Sequence, residues 1–80
     1  MQIYVGSLNF GTTENTLRDL FGAYGEIKSV KVIIDRDSGR SKGFGFIEME
    51  NSEEARDAIA NLNGYELEGR NLRVNEANKK

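Results

Sequence analysis

The nine residues Ser41–Met49, "SKGFGFIEM", decide the fold, because they hold two phenylalanines two apart, each preceded by a glycine. A β-strand sends successive side chains to opposite faces. One face here therefore carries Lys42, Phe44, Phe46 and Glu48, and the other Gly43, Gly45, Ile47 and Met49. Burying the phenylalanines would bury Lys42 and Glu48 with them and expose Ile47 and Met49, and a buried charge without a partner is costly enough to neutralise. The alternation thus predicts the rings on an open face and Ile47 and Met49 in the core. Gly43 and Gly45 suit the buried side, where a missing side chain lets a helix come close or leaves room for large neighbours.

Working outward, "IKSVKVII" (27–34) is rich in β-branched residues, with Val30, Val32 and Ile34 on one face and Ser29, Lys31 and Ile33 on the other. The polar, charged "DRDSGRSK" (35–42) joins it to the phenylalanine strand as a long loop, so the two strands are expected to be antiparallel neighbours. Upstream, "IYV" (3–5) reads as a first strand ending near Gly6. Between them "TTENTLRDLFGAYG" changes period. Leu17, Leu20, Phe21 and Tyr24 fall on one helical stripe, with Thr13 expected to cap its start and Gly25 to stop it.

Downstream, Ala55, Ala58, Ile59 and Leu62 form a second stripe, with Ser52 as the expected cap and Glu53 and Glu54 in the first turn, where the helix dipole favours anions. Asn63 and Gly64 end it. A hairpin-like turn around Glu68 and Gly69 precedes a last strand, in which Leu72 and Val74 face one way and Arg73 and Asn75 the other. The order is βαββαβ. It predicts an α+β, ferredoxin-like sandwich: a four-stranded antiparallel sheet with both helices on one face. Ile3, Val5, Val30, Val32, Ile47, Met49, Leu72 and Val74 are then expected under the helices. Tyr4, Lys31, Ile33, Phe44, Phe46, Arg73 and Asn75 fall on the open face.

Composition narrows the function. Eighty residues are expected to form one domain, 1–80, since chains divide at roughly 100–200 residues per domain. The chain has no cysteine, so neither disulfides nor thiolate metal sites hold it. It has no histidine, the usual proton shuttle near neutral pH and the commonest metal ligand, and catalysis and a metal cofactor are not expected. Asp35 with Asp37, and Glu53 with Glu54, read as solvated or capping charges. "GRSKGFG" lacks both the Gly-Lys-Ser/Thr ending of a phosphate loop and the helix that should follow it. No membrane span or signal peptide is visible, and an intracellular, cytoplasmic, monomeric protein is expected. Three aromatic rings on one open sheet face add little to folding and detract from solubility. A flat π-faced ligand is the natural reason to keep them.

From Lys42 to Met49, "KGFGFIEM" follows an octamer of basic residue, Gly, aromatic, Gly or Ala, Phe, aliphatic, any residue and aromatic, while "IYVGSL" (3–8) looks like the companion hexamer on the first strand. On these two motifs, in order and on the predicted strands, the whole chain resembles an RNA recognition motif. It is most similar in layout to short single-motif RNA-binding proteins of bacteria, or to one module of a longer protein. Met49 stands where the family has Phe or Tyr, at a position expected in the core, and Ser7 stands where it usually has Asn. The resemblance implies binding of single-stranded RNA, in post-transcriptional regulation or RNA chaperoning. It implies that Tyr4 and Phe46 stack successive bases, that Phe44 lies against the sugars and that Lys42 meets a phosphate. Arg73 and Asn75, with the backbone near Glu76 and Ala77, would add contacts to base edges. Lys31 shares the face, and Arg36 and Arg40 in the loop could clamp the strand. Stacking alone does not separate RNA from single-stranded DNA.

Two considerations weigh against this reading. Net charge is −2, but Glu14, Asp19, Glu50, Glu53, Glu54 and Asp57 against Arg18 and Arg56 give the helical segments −4 and leave +2 for strands and loops. The negative charge is expected mostly behind the sheet. The alternative of a protein-binding module of the same fold fits less well, since family members that bind peptides commonly lose the open-face aromatics, and here all three remain.

Overall fold

A computed structural model of the chain describes residues 1–77; the last three residues of the expected domain, 78–80, lie outside the described residues. The elements run β1 (Gln2–Gly6), α1 (Glu14–Gly22), β2 (Ile27–Ile34), β3 (Ser41–Met49), α2 (Ser52–Leu62), β4 (Glu66–Leu67), β5 (Arg70–Asn71) and β6 (Arg73–Glu76). β2, β3, β1 and β6 form one sheet in that order, with all neighbours antiparallel. β4 and β5 pair as a small separate hairpin whose two turn residues, Glu68 and Gly69, both have positive φ, as two-residue hairpin loops require.

The core follows the alternation. Ile3, Val5, Val32, Ile47, Met49 and Val74 from the sheet, with Leu72 just before β6, are buried against Leu17 and Phe21 of α1 and Ala55, Ala58 and Leu62 of α2. Met49 is fully buried, so its departure from an aromatic is a matter of core volume. Strict alternation fails on β2. A bulge at Lys28, between the pairs Ile27↔Met49 and Ser29↔Glu48, lets both Ile27 and Val30 pack half-buried against the core. Ile34, expected on the buried face, is 50% exposed. Its strand pairing has shifted there: Val32 faces Gly45 but Ile34 faces Ser41, and Gly43 in between takes a φ of +87°.

Caps required two corrections. Thr13 caps α1 as expected, its hydroxyl accepting from the Thr16 amide. α2 is capped by Asn51, whose side-chain oxygen accepts from the Glu54 amide at 3.0 Å, while Ser52 is already helical. Asn and Ser are comparable caps, so composition alone did not choose between adjacent candidates. α1 ends at Gly22 rather than at Gly25, where a tighter turn takes over and the Tyr24 amide donates to the Phe21 carbonyl.

Both sheet edges are tied to helices. On β2 the Val32 amide donates to the Glu14 carboxylate at 3.1 Å, and on β6 the Val74 amide donates to the Asn63 side chain at 3.1 Å. Such contacts satisfy outward amides that would otherwise template pairing with another chain.

Gly45 sits at the centre, paired with Val5 on one side and Val32 on the other. A Cβ there would lie 3.1 Å from the Val32 Cα and closer still to the Lys31 carbonyl oxygen. The crowding comes from the neighbouring strand's backbone, not from a helix as the sequence had suggested. Gly45→Ala is expected to lower unfolding free energy by about 1–3 kcal/mol, read as a drop in the urea midpoint at unchanged slope. Asn51→Ala should cost about 1 kcal/mol and Ser52→Ala less than about 0.5 kcal/mol in the same measurement, the reverse of what a Ser52 cap would give.

Candidate nucleic-acid interface

With both helices behind the sheet, its other face is left without a covering element. One row of paired residues crosses it from edge to edge: Lys31 on β2, Phe46 on β3, Tyr4 on β1 and Asn75 on β6. Phe44 lies two residues from Phe46 along β3. The three rings form a near-equilateral triangle, with centroid separations of 6.0 Å for Tyr4–Phe44, 5.9 Å for Tyr4–Phe46 and 6.2 Å for Phe44–Phe46. Their planes are inclined by 32°, 63° and 89°, so Phe46 meets each of the other two rings edge to face while Tyr4 and Phe44 are tilted against each other. Such pairs are worth about 0.5–1.5 kcal/mol each beyond the area they bury. The rings lie on the open face as the alternation predicts, and mutual packing leaves them half-buried there. The aromatic platform is therefore held in place by its own members.

Tyr4 is also positioned by a glycine. Its ring lies over Gly6, so a Cβ at Gly6 would come within 2.8 Å of Tyr4 Cζ. Gly6 pairs with Arg73, and the Tyr4 ring thus reaches toward the Arg73 end of β6. Arg73 and Asn75 are both exposed on that strand. Lys31 is exposed beside Phe46.

Lys42 is exposed at the start of β3, beyond the irregularity at Gly43, and Arg36 and Arg40 are exposed in the loop that precedes it. That loop is organised. The Asp35 amide donates to the Arg40 carbonyl at 2.7 Å, and the Asp35 carboxylate accepts from the Asp37 amide at 3.0 Å. Arg40 lines a groove with Phe10, Ile34 and the start of α1, away from the aromatic triangle. The structure therefore gathers Tyr4, Lys31, Phe44, Phe46, Arg73 and Asn75 on one face and sets Arg40 apart.

Glu48 shares the face, in a polar row with Gln2 and Ser29. Its carboxylate lies 3.9 Å from the Lys28 ammonium. An exposed pair of this kind adds little stability, but it offsets the one negative charge beside the rings. Sequence reasoning missed this partner because strict alternation put Lys28 on the opposite face, and the bulge that changes this leaves no mark in composition. Ser7 follows β1 at φ +58°, a region where Asn is several-fold enriched over other non-glycine residues. The backbone geometry thus accounts for the residue type that the resemblance had led one to expect there.

Comparison with known proteins agrees with this geometry. The family model described as RNA recognition motif matches residues 3–73. Over 79 residues the chain is 46% identical to the chloroplastic 29 kDa ribonucleoprotein B of Nicotiana sylvestris, covering 99% of this chain but 27% of that protein. Among solved structures, the crystal structure of RNA Binding Protein PG1 superposes with a TM-score of 0.96 at 49% identity, covering 100% of this chain and 96% of that one. The Rna15 RRM with bound RNA (GU) superposes with a TM-score of 0.87 at 36% identity, covering 98% of this chain and 83% of that one. The octamer lies on β3 and the hexamer on β1 and the two residues after it, and the family match runs through both to the start of β6: the chain belongs to the RNA recognition motif family.

Proposed function

We propose that this chain binds single-stranded RNA on the helix-free face of its sheet, in post-transcriptional regulation or RNA chaperoning. The observation that carries the reading is the triangle of Tyr4, Phe44 and Phe46, a preformed aromatic platform at the centre of that face. Tyr4 and Phe46, side by side on adjacent strands, take successive bases, and Phe44 packs against the sugars. Lys42 meets a phosphate, while Lys31 and Asn75 flank the two stacking rings in the same row. Arg73 extends the basic surface at the β6 edge, and Arg40, set apart from the rings, adds a cation in the loop between β2 and β3. The Rna15 relative, of the same fold, was solved with bound RNA, which supports the ligand class.

The energetics favour stacking over charge. Base–aromatic contacts are worth roughly 1–3 kcal/mol each and tolerate any base. Net charge is −2, and Glu48 is on the binding face. The chain acts as a single monomeric module in this proposal. Single-stranded DNA is a second ligand wherever the contacts do not include the 2′-hydroxyl. No helix among the described residues is long and apolar enough to cross a membrane.

Titrating a short single-stranded RNA against wild type and the Phe44→Ala/Phe46→Ala variant should show binding at least ~30-fold weaker in the variant, equivalent to about 2 kcal/mol. Equal binding by both, with the variant folded by circular dichroism, contradicts the proposal. In wild type, log K should fall with log salt at a slope no steeper than about −2, as two or three phosphate contacts give. A slope steeper than about −3 would contradict stacking as the main source of affinity.

A further inference from the structure

Beside β6 the sheet is flanked by a polar cleft of about 680 Å³. It lies between the end of β1, the small β4–β5 hairpin and the start of β6. Arg70, Arg73, Asn71, Asn75, Asn63 and Ser7 contribute to its walls, and no carboxylate does. Two of these side chains are already engaged: Asn71 donates to the Gly64 carbonyl, and the Asn63 oxygen accepts from the Val74 amide. Of the two acids in the hairpin, Glu68 accepts from the Thr12 hydroxyl, and Glu66 is paired with Asn71 along the strands; neither lines the cleft. Among the described residues neither arginine lies within ion-pair distance of a carboxylate; the pair found is Lys28 with Glu48, on the opposite edge of the sheet. Two guanidinium groups are therefore presented to the same cleft without an internal counter-charge.

The cleft opens onto the proposed binding face. Tyr4 and Asn75 are paired, Gly6 and Arg73 are paired one row further on, and the Tyr4 ring lies over Gly6. Arg73 thus lies two residues along β6 from the partner of Tyr4, on the same face of the sheet. Guanidinium forks match phosphate oxygens in a planar, bidentate geometry.

We infer that this cleft binds a phosphodiester group of the same strand, the one that follows the nucleotide stacked on Tyr4 on the side away from Phe46, through Arg70 and Arg73. The inference rests on the reading of the sheet face as the RNA site and extends it past the edge of the sheet. It brings in Arg70, which lies outside the strands of the main sheet, and assigns Arg73 to backbone rather than base edges. The cleft adds grip and length to the site but no base preference, since phosphate contacts carry no sequence information.

The test compares a dinucleotide with an eight-nucleotide RNA of mixed sequence, by fluorescence anisotropy, against wild type, Arg70→Gln and Arg70→Glu. Arg70→Gln should weaken the longer RNA about threefold to fivefold, as loss of one exposed ion pair does, and leave the dinucleotide unchanged. The slope of log K against log salt for the longer RNA should become shallower by about 0.7. Arg70→Glu should weaken it further, and thermal unfolding should show both variants folded. Unchanged affinity and salt slope in both variants would overturn the cleft, and if Phe44→Ala/Phe46→Ala still lost binding, the sheet-face reading would stand without it. Absence of RNA binding by wild type would remove both. An equal loss for dinucleotide and longer RNA would place Arg70 on the platform itself and also overturn the cleft.

Discussion

The backbone of β2 approaches the central strand at Gly45 too closely for any side chain, and the open face depends on that approach. Gly45 faces Val32 and Val5 across both of its neighbours, so its pairing fixes the register of three strands together. A slip of one residue would turn every side chain of β3 over, bringing Phe44 and Phe46 under the helices and Ile47 and Met49 to the surface. Fixing this one position therefore orders the aromatic platform and the core at once.

From that register the rest of the molecule divides its labour. The helices cover one face, and their terminal side chains, Glu14 and Asn63, also bond to amides of the two edge strands. The other face is left for three rings that support one another at centroid separations near 6 Å. The helices carry a net negative charge, with Glu14, Asp19, Glu53, Glu54 and Asp57 against Arg18 and Arg56, while Lys31, Lys42 and Arg73 are exposed on the strands of the sheet. A nearly neutral binding face is compatible with a site whose affinity comes from desolvated stacking, because stacking is much less sensitive to screening than phosphate contacts are.

The alternation of "SKGFGFIEM" made the faces of β3 legible, since a charged and an apolar residue at each alternate step leave one register that buries no charge. The helical stripes and the β4–β5 turn were equally plain, the first from spacing and the second from Glu-Gly between short strands. Features that depend on backbone geometry were not. The bulge at Lys28 puts both Ile27 and Val30 against the core, and the shifted pairing near Gly43 leaves Ile34 half exposed; neither breaks the composition of a strand. Adjacent Asn51 and Ser52 are chemically similar caps, and only the chain path chose between them. Arg70 escaped notice because it lies in a hairpin outside the expected sheet, and its nearness to Arg73 follows from tertiary folding.

Aromatic ring resonances measured by NMR during titration with a short single-stranded RNA test the central claim most directly. The account predicts upfield ring-current shifts and base-to-ring nuclear Overhauser effects at Tyr4, Phe44 and Phe46, with amides of the outward helix residues Asp19 and Asp57 unmoved. Shifts concentrated on α1 and α2 with the three ring systems unchanged would contradict it.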